Sequence, residues 1–269
     1  MNREEDVRGA RSFLFVPGDR PERFDKAIRS GTDIVVLDLE DAVADEHKDS
    51  AREAVVDWLS SGGPACVRVD STAGQRFWAD LDALMGLPGL AAVMVPKAEN
   101  PDGLTAVAER VGVPVIALVE SARGIVHATA LAAAPGVTRI AFGHLDYALD
   151  LGCDTGRTAM LHARSALVLA SRAARLPGPI DGVTTALDDA AALDEDLRCA
   201  KELGMTGKLL VHPRQVAGTH AAFRPDAATI RWARRVVESE GGDKAVRIDG
   251  QMVDAPVVAR AWAILRDVR

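Results

Sequence analysis

The chain has 269 residues, of which 48% are hydrophobic and 26% are charged, and its formal net charge is −7. Basic and acidic residues are interspersed, so the sequence does not predict a nucleic-acid-binding surface. No uninterrupted apolar run reaches the roughly 18 residues of a membrane span, and the N-terminus has no apolar segment typical of a signal peptide. The three cysteines lie far apart without metal-ligand spacing. We therefore expect reduced thiols and a cytoplasmic globular protein.

Short apolar segments alternate with longer segments of helical periodicity along most of the chain. The apolar segments are continuous rather than alternating with polar residues, which is typical of parallel strands covered on both faces. Eight segments are predicted to be strands: 12–17, 33–39, 65–70, 91–96, 113–119, 139–143, a weak one at 179–185, and 208–212. Intervening segments such as 21–31, 49–63 and 122–136 end in Gly or Pro, as helices commonly do.

Eight strand–helix units predict an α/β fold, a (β/α)₈ TIM barrel, over residues 1–222. The alternative is a doubly wound open sheet, but the sequence contains neither GxGxxG nor GxxxxGK[ST] to support nucleotide binding. Residues 223–269 exceed what a barrel needs. This extension is predicted to contain a helix at 226–242, a small hairpin at 244–254 with Asp249 and Gly250 at its turn, and a last helix from 255. We expect it to serve as a lid or as an arm between subunits.

Several predicted strands end on a carboxylate. Glu120 ends the fifth strand, Asp146 ends the sixth, and Asp38, Glu40 and Asp41 end the second. The C-terminal ends of barrel strands meet at one mouth, where a carboxylate can meet water, a cation or a substrate. Oxygen donors without a histidine pair or thiolate favour a hard cation, Mg²⁺ first and Mn²⁺ as a substitute. The alternative is that these acids cap helices or pair with basic residues.

Basic residues end two other predicted strands. Arg68 in CVRVD could grip a substrate carboxylate or stabilise an oxyanion, and a salt bridge to a neighbouring acid is the alternative. Lys97 in VMVPK could form a Schiff base with a carbonyl substrate, although lysines in such positions are more often ion-pair partners.

The motifs together resemble the citrate lyase β-subunit-like branch of the HpcH/HpaI aldolase superfamily. They are RSFLFVPGDRPERFDKA, VVLDLEDAV followed by AREAV, VRVDS, VPKAE, ALVESARGI, FGHLDYALDLG, LVHPRQV and, in the extension, MVDAPVV. They follow the order of the family from about Arg11 to Val216. The resemblance implies a (β/α)₈ barrel and a Mg²⁺-dependent carbon–carbon lyase acting on 3-hydroxyacyl-CoA thioesters such as malyl-, citramalyl- or citryl-CoA.

The resemblance also implies roles for residues at the mouth. Glu120 and Asp146 would be the direct metal ligands, and Glu40 and Asp41 would lie behind them and hold water molecules on the ion. Arg68 and Glu120 would bind the substrate, and Arg68 would stabilise the oxyanion. Coenzyme A would enter as part of the substrate.

Asp254 in MVDAPVV has two possible roles. By sequence alone it is a good N-cap for the last helix, because Pro follows in the first turn. In the related acyl-CoA lyases the aspartate of this motif acts as acid and base on the substrate, and it reaches the site from a neighbouring subunit. The resemblance therefore implies a homotrimer, or a hexamer, in which Asp254 serves the adjacent barrel.

Other residues near the motifs carry weaker signals. Arg20 and Lys26, after the first strand, could meet the phosphates of coenzyme A, or they could belong to a solvated helix face. Tyr147 replaces a smaller residue of many relatives and could reshape the pocket. His144 lies two residues before Asp146, but no spacing makes it a metal ligand.

Three other functions remain open. The first is a metal-dependent aldolase that cleaves free 4-hydroxy-2-oxo acids without coenzyme A. The second is an aldolase that works through a Schiff base on Lys97. The third is a subunit of a citrate lyase complex that takes its substrate from an acyl carrier protein.

Overall fold

The computed structural model describes residues 3–72, 74, 76–239, 246–248 and 251–266. These residues form two compact units, Met1–His220 and Ala221–Arg269. The predicted hairpin turn at Asp249 and Gly250 lies outside the described residues.

The first unit is a closed barrel of eight parallel strands in sequential order, in which the last strand pairs with the first. The strands are β1 Ser12–Pro17, β2 Ile34–Asp38, β3 Ala65–Arg68, β4 Leu90–Val95, β5 Val115–Val119, β6 Val137–Phe142, β7 Ile180–Asp181 and β8 Gly207–Leu210. The predicted (β/α)₈ barrel is confirmed, and the doubly wound alternative is wrong. The weak seventh strand is short, with two residues.

Helices precede, connect and follow these strands. They are α1 Arg3–Gly9, α2 Phe24–Arg29, α3 Lys48–Ser60, α4 Phe77–Leu84, α5 Pro101–Val111, α6 Ala122–Val126, α7 Ala128–Ala133, α8 His144–Leu151, α9 Arg157–Ala173, α10 Ala190–Leu203 and α11 Gln215–Phe223, with 3₁₀ turns at Pro21–Arg23 and Asp45–His47. The helix predicted at 122–136 is divided at His127 into α6 and α7. Between β6 and β7 the chain forms two helices, α8 and α9, where one was expected.

Apolar side chains from all around the barrel fill its interior. They include Phe13, Val36, Cys66, Met94, Ile116, Ala141, Ile180 and Leu209, all buried. Both faces of each strand lie against apolar neighbours, which explains why the strands are continuous apolar runs in the sequence. The carboxylates of the candidate site lie at or after the C-terminal strand ends, whereas Arg139 of β6 and Lys208 of β8 are charged side chains buried within strands.

Helix α1, which the sequence did not predict, lies at the N-terminal end of the barrel and is held there by Arg139 of β6. This arginine is fully buried, and its Nη1 donates to the carbonyl oxygens of Val7 (3.2 Å), Arg8 (2.9 Å) and Ala10 (3.1 Å). Burial lowers the pKa of Arg139. The unpaired carbonyls at a helix C-terminus carry partial negative charge, so they compensate the guanidinium without a carboxylate.

The second unit contains two helices and a small hairpin. They are α12 Ala227–Glu238, β9 Val246–Ile248, β10 Gln251–Val253 and α13 Ala255–Arg266, and the two strands pair antiparallel as predicted. Ala233, Val236, Val253 and Ala261 form its buried core. Within the described part of the chain, no helix is both long enough and apolar enough to cross a membrane.

We predict that Arg139→Leu lowers the free energy of unfolding by about 2–4 kcal/mol, because it leaves several buried carbonyls without a donor. Urea denaturation followed by circular dichroism measures this change. Arg172→Leu removes an exposed arginine of α9 and is the matched control. Equal stability of the two variants would show that α1 does not depend on Arg139.

Candidate active site

A buried ion pair joins the ends of β2 and β3. Asp38 is the last residue of β2, Arg68 is the last residue of β3, and the two lie opposite each other in the parallel pairing. Arg68 Nε donates to Asp38 Oδ1 at 2.7 Å and Nη2 donates to Oδ2 at 2.6 Å, while the ring of Phe15 lies 4.8 Å from the guanidinium carbon. Burial alone would lower the pKa of Arg68, but Asp38 and Glu40 outweigh it and raise the pKa. The arginine is therefore fixed, and its Nη1 is the edge left for other groups.

Glu40 shares that edge from the loop after β2. Its Oε2 lies 3.0 Å from Arg68 Nη1, although the atom has no partner in hydrogen-bonding geometry. Its Oε1 accepts from Lys97 Nζ at 3.1 Å. The loop itself is held by Lys48, whose Nζ donates to the carbonyl oxygens of Leu39 and Glu40 at 2.9 Å each. Burial raises the pKa of Glu40, against the opposing effect of Arg68.

Lys97 is an ion-pair partner in this structure. Burial lowers the pKa of Lys97, but Glu40 outweighs it, and the net shift is upward. A Schiff-base lysine needs a lowered pKa, because only the neutral amine attacks a carbonyl. The ion pair of Lys97 with Glu40 therefore disfavours the Schiff-base alternative.

Glu120 follows β5 directly and is 3% exposed. Its Oε1 accepts from the backbone N–H of Lys97 at 2.8 Å. Lys97 has a left-handed backbone with φ 48°, which is uncommon outside glycine, and this conformation directs its N–H at Glu120. Burial raises the pKa of Glu120 to about 8, and the charge of Glu40 adds to the shift. Such a carboxylate is poised to accept a cation or a proton.

Asp146 lies in the first turn of α8 rather than at a strand end. The prediction that the sixth strand ends on Asp146 is wrong in this detail, because β6 ends at Phe142 and Gly143 begins the turn into the helix. The carboxylate remains at the mouth, half-buried, and is close enough to Glu120 to contribute to its raised pKa. Gly143 lies against Glu120, since a Cβ built there would be 2.2 Å from Glu120 Oε2.

A cavity of about 230 Å³ opens at this mouth. Its charged lining side chains are Asp38, Asp41, Arg68, Glu120 and Asp146. Its apolar lining side chains include Phe15, Leu118, Phe142, Val183, Leu209 and Val211. The charged side chains thus come from the ends of β2, β3 and β5 and from α8, and apolar side chains form much of the remaining wall, as expected for a small-molecule site.

His144 and Tyr147 differ in their relation to this cavity. His144 lines it and is 8% exposed. Tyr147 is buried, packs edge-on against Phe142 with ring centroids 5.5 Å apart, and does not line the cavity. Tyr147 was expected to reshape the pocket. It contacts the cavity wall only indirectly, through Phe142, which lines the cavity.

A second cavity of about 360 Å³ lies at the ends of β1 and β8 and shares Phe15 and Val211 with the first. Of the two predicted coenzyme A contacts, Lys26 lines it and Arg20 does not. Arg23, which the sequence analysis did not single out, lines it as well. Lys26 lies three residues after Arg23, so both can lie on one side of the helical segment, and this spacing could have indicated the pair.

The oxygen donors at the mouth fit a hard cation. Glu120 and Asp146 are carboxylates on one cavity, and buried Glu40 adds negative charge beside them. Among the described residues no cluster of three His, Cys, Asp or Glu side chains could hold a metal ion by itself. A cation bound by Glu120 and Asp146 would need further oxygens from water and substrate, and Mg²⁺ commonly binds in this way.

Asp254 caps the last helix. Its Oδ1 accepts from the N–H of Val257 at 3.3 Å, and the side chain is exposed. The capping role predicted from the sequence is thus observed. The catalytic role remains a prediction, since an exposed carboxylate at a helix start can serve both.

Comparison with known proteins identifies the family. The sequence profile of the HpcH/HpaI aldolase/citrate lyase family matches residues 11–213. This chain belongs to that family. The family assignment made from the motifs is therefore confirmed.

Several relatives match over nearly the whole chain. The citrate lyase subunit beta-like protein of Mycobacterium tuberculosis is 37% identical, covering 94% of each chain. The (3S)-malyl-CoA thioesterase of Cereibacter sphaeroides is 33% identical, covering 91% of this chain and 89% of the relative. The crystal structure of CitE from M. tuberculosis with magnesium, acetoacetate and coenzyme A is similar with a TM-score of 0.84 and 36% identity, covering 97% of this chain and 99% of that one.

We predict that Gly143→Ala displaces Glu120, because the new Cβ would overlap Oε2. Binding of Mg²⁺, measured by isothermal titration calorimetry, should weaken about tenfold or more. Gly156→Ala is the matched control, since its Cβ would meet open space and its φ is −63°. Unchanged Mg²⁺ binding in Gly143→Ala would show that Glu120 does not hold the ion.

Proposed function

We propose that this protein is a Mg²⁺-dependent lyase that cleaves, or in reverse forms, 3-hydroxyacyl-CoA thioesters of the malyl-, citramalyl- or citryl-CoA type. Membership of the aldolase/citrate lyase family makes it a carbon–carbon lyase. The observation that carries the proposal is the convergence of Glu120, Asp146 and the clamped Arg68 on one cavity. A relative with Mg²⁺ and coenzyme A bound, and another with Mg²⁺ and oxaloacetate bound, support the choice of metal and substrate class.

Glu120 and Asp146 would hold the cation beside the 2-oxo acid half of the substrate. When bound, Mg²⁺ supplies positive charge that polarises the keto group of that acid. Glu40 and Asp41, which lie 3.0 Å and 3.7 Å from Arg68 Nη1, would act from behind the ligands. They would orient water and restrain the arginine rather than touch the substrate.

Arg68 would stabilise negative charge on the thioester oxygen. Cleavage begins with removal of the proton from the 3-hydroxyl group. The bond between C2 and C3 then breaks, leaving a new carbonyl group on the departing 2-oxo acid and an enolate on the thioester. Because Asp38 occupies Nε and Nη2 of Arg68, the guanidinium is held in place before charge develops, and a preorganised donor stabilises a transition state most effectively.

Asp254 would be the group that takes the hydroxyl proton and returns it to the enolate. Its position at the start of α13 holds the carboxylate rigidly. We propose that it acts in the barrel of a neighbouring subunit within a homotrimer or a hexamer. The carboxylates of the mouth are assigned to the cation and to Arg68, so none of them is proposed as the base.

Coenzyme A would extend over the ends of β1 and β8. The cavity there shares two lining residues, Phe15 and Val211, with the cavity at the mouth. Lys26 and Arg23 provide cations for phosphate groups at its edge, and Arg20 is exposed nearby in sequence. The thioester would then reach the mouth from this side.

We predict that turnover of the preferred thioester requires Mg²⁺ and falls ~10²-fold or more in Glu120→Gln and in Asp146→Asn. Cleavage is followed by chromatography of malyl-, citramalyl- and citryl-CoA before and after EDTA treatment. Glu109→Gln, an exposed glutamate of α5, is the matched control. A rate that resists EDTA contradicts the metal requirement, and cleavage of free 4-hydroxy-2-oxo acids but not of thioesters would favour the aldolase alternative.

We predict that Asp254→Asn folds normally but turns over ~10²-fold more slowly, because asparagine keeps the capping oxygen and cannot exchange the proton. Mixed oligomers of Asp254→Asn and Asp146→Asn subunits should regain activity, since one intact site can form between two chains. Asp146→Asn serves as the second variant in this mixture. Arg68→Ala could also inactivate the barrel, but it would leave buried Asp38 and Glu40 without their cation.

Native mass spectrometry verifies that the oligomers are mixed. A fully active Asp254→Asn enzyme, or no regained activity in verified mixtures, limits Asp254 to capping α13. Activity of the purified chain on free acyl-CoA also distinguishes it from a subunit that needs an acyl carrier protein.

A further inference from the structure

His144 is a buried polar side chain at the mouth, and one of its ring nitrogens has no hydrogen-bond partner among the described residues. It begins α8, lines the cavity and is 8% exposed. Its Nδ1 is buried without a hydrogen-bond partner. Most buried polar groups are paired, and leaving one unpaired costs free energy. A histidine kept in this position therefore suggests a partner that arrives with the substrate.

The position of Gly182 determines which edge of the ring is free. A Cβ built on Gly182 would lie 2.1 Å from His144 Nδ1 and 3.0 Å from Cε1, so this edge of the ring lies against the backbone after β7. The Gly182 carbonyl oxygen accepts from Lys208 Nζ at 2.7 Å, and its N–H serves Asp181. Neither backbone group is available to Nδ1. The edge of the ring that carries Nε2 is not covered by Gly182 and is the edge left for a substrate.

The tautomer of His144 follows from the same contacts. A buried N–H without an acceptor is rarer in proteins than an acceptor without a donor. The proton of the neutral ring is therefore assigned to Nε2, and Nδ1 keeps its lone pair against Gly182. Nε2 is then a hydrogen-bond donor at the edge of the cavity.

No lining residue described in the structure offers Nε2 an acceptor of its own. The ring of Phe142 lies beside His144, with ring centroids 6.2 Å apart, and Val183 lines the same cavity. Asp181, next to Gly182, is fully buried and already paired with Arg164 at 2.8 Å and with Lys208 at 3.3 Å. An apolar substrate group at this place would leave the N–H unpaired, whereas an oxygen would pair with it.

Its place in the chain assigns His144 to the 2-oxo acid half of the substrate. It stands two residues before Asp146 and next to Gly143, which contacts Glu120, whereas the coenzyme A side lies at β1 and β8. In the proposed function the carboxylate and carbonyl oxygens of the 2-oxo acid face the cation that Glu120 and Asp146 would hold, and the thioester oxygen faces Arg68. The oxygen left for His144 must then lie on the substituent of C3.

We propose that His144 Nε2 donates a hydrogen bond to an oxygen of the C3 substituent and so selects a carboxymethyl group, as in citryl-CoA, over the methyl group of citramalyl-CoA. This inference rests on the proposed function and names its substrate class: thioesters that release a dicarboxylic 2-oxo acid. His144 is a specificity-determining residue, and Glu120, Asp146 and Arg68 act on both substrates alike.

The test compares kcat/KM for citryl-CoA and citramalyl-CoA in the wild type, His144→Ala and His144→Gln. His144→Ala should lower kcat/KM for citryl-CoA ~10- to 100-fold and leave citramalyl-CoA within about threefold, because only the first substrate loses a hydrogen bond. His144→Gln keeps an N–H donor and should retain part of the preference. His162→Ala, an exposed histidine of α9, should change neither substrate.

Equal losses for the two thioesters, or no loss for either, overturn the assignment. Circular dichroism reports whether His144→Ala folds, and ¹⁵N NMR of the wild-type ring gives a second measurement that needs no variant. The Nε2 resonance of His144 in the Mg²⁺-loaded protein should shift with oxaloacetate and not with pyruvate, and equal responses overturn the inference. If the wild type cleaves neither thioester, the proposed function fails, while the NMR comparison still decides the role of His144.

Discussion

Burying several carboxylates at one end of a closed barrel requires that cations lie among them, and this constraint shapes the whole mouth. Asp38, Glu40 and Glu120 are each 1–3% exposed. Arg68 compensates the first two directly, and the Nζ and backbone N–H of Lys97 contact Glu40 and Glu120. Three buried carboxylates thus share two cationic side chains, before the half-exposed acids are counted. The remaining negative charge makes a bound cation favourable at this place.

On the β7 side of the same barrel end, by contrast, a buried carboxylate is fully compensated by cations. Asp181 at the end of β7 is fully buried, yet it lies between Arg164 and Lys208. Burial alone would raise the pKa of Asp181, but the two cations outweigh it and lower the pKa. Glu120, with fewer cations near it, has its pKa raised to about 8. The carboxylate of Asp181 is thus fully paired within the fold, whereas that of Glu120 can still bind a ligand.

The sequence was most informative about periodic features. Parallel strands buried on both faces must be apolar throughout, so all eight were recognisable, and the residue types that follow them gave the acids of the mouth. Helix α1 was not predicted, because a seven-residue helix rich in charge has no distinctive pattern and is stabilised by Arg139 from a distant strand. Arg23 was likewise not predicted, although its spacing from Lys26 was visible in the sequence; that both line one cavity depends on how β8 approaches β1.

What the sequence by itself determined is the barrel, the family and the set of charged residues at the strand ends, because apolar periodicity and short motifs are local properties of the chain. Only the tertiary structure decided how those charges are used. Asp38 pairs with Arg68, Lys97 pairs with Glu40, and Nδ1 of His144 has no hydrogen-bond partner in the described part of the chain. These assignments depend on register across neighbouring strands and on glycines that allow close approach. Both arise only when the sheet closes and brings together residues far apart in sequence.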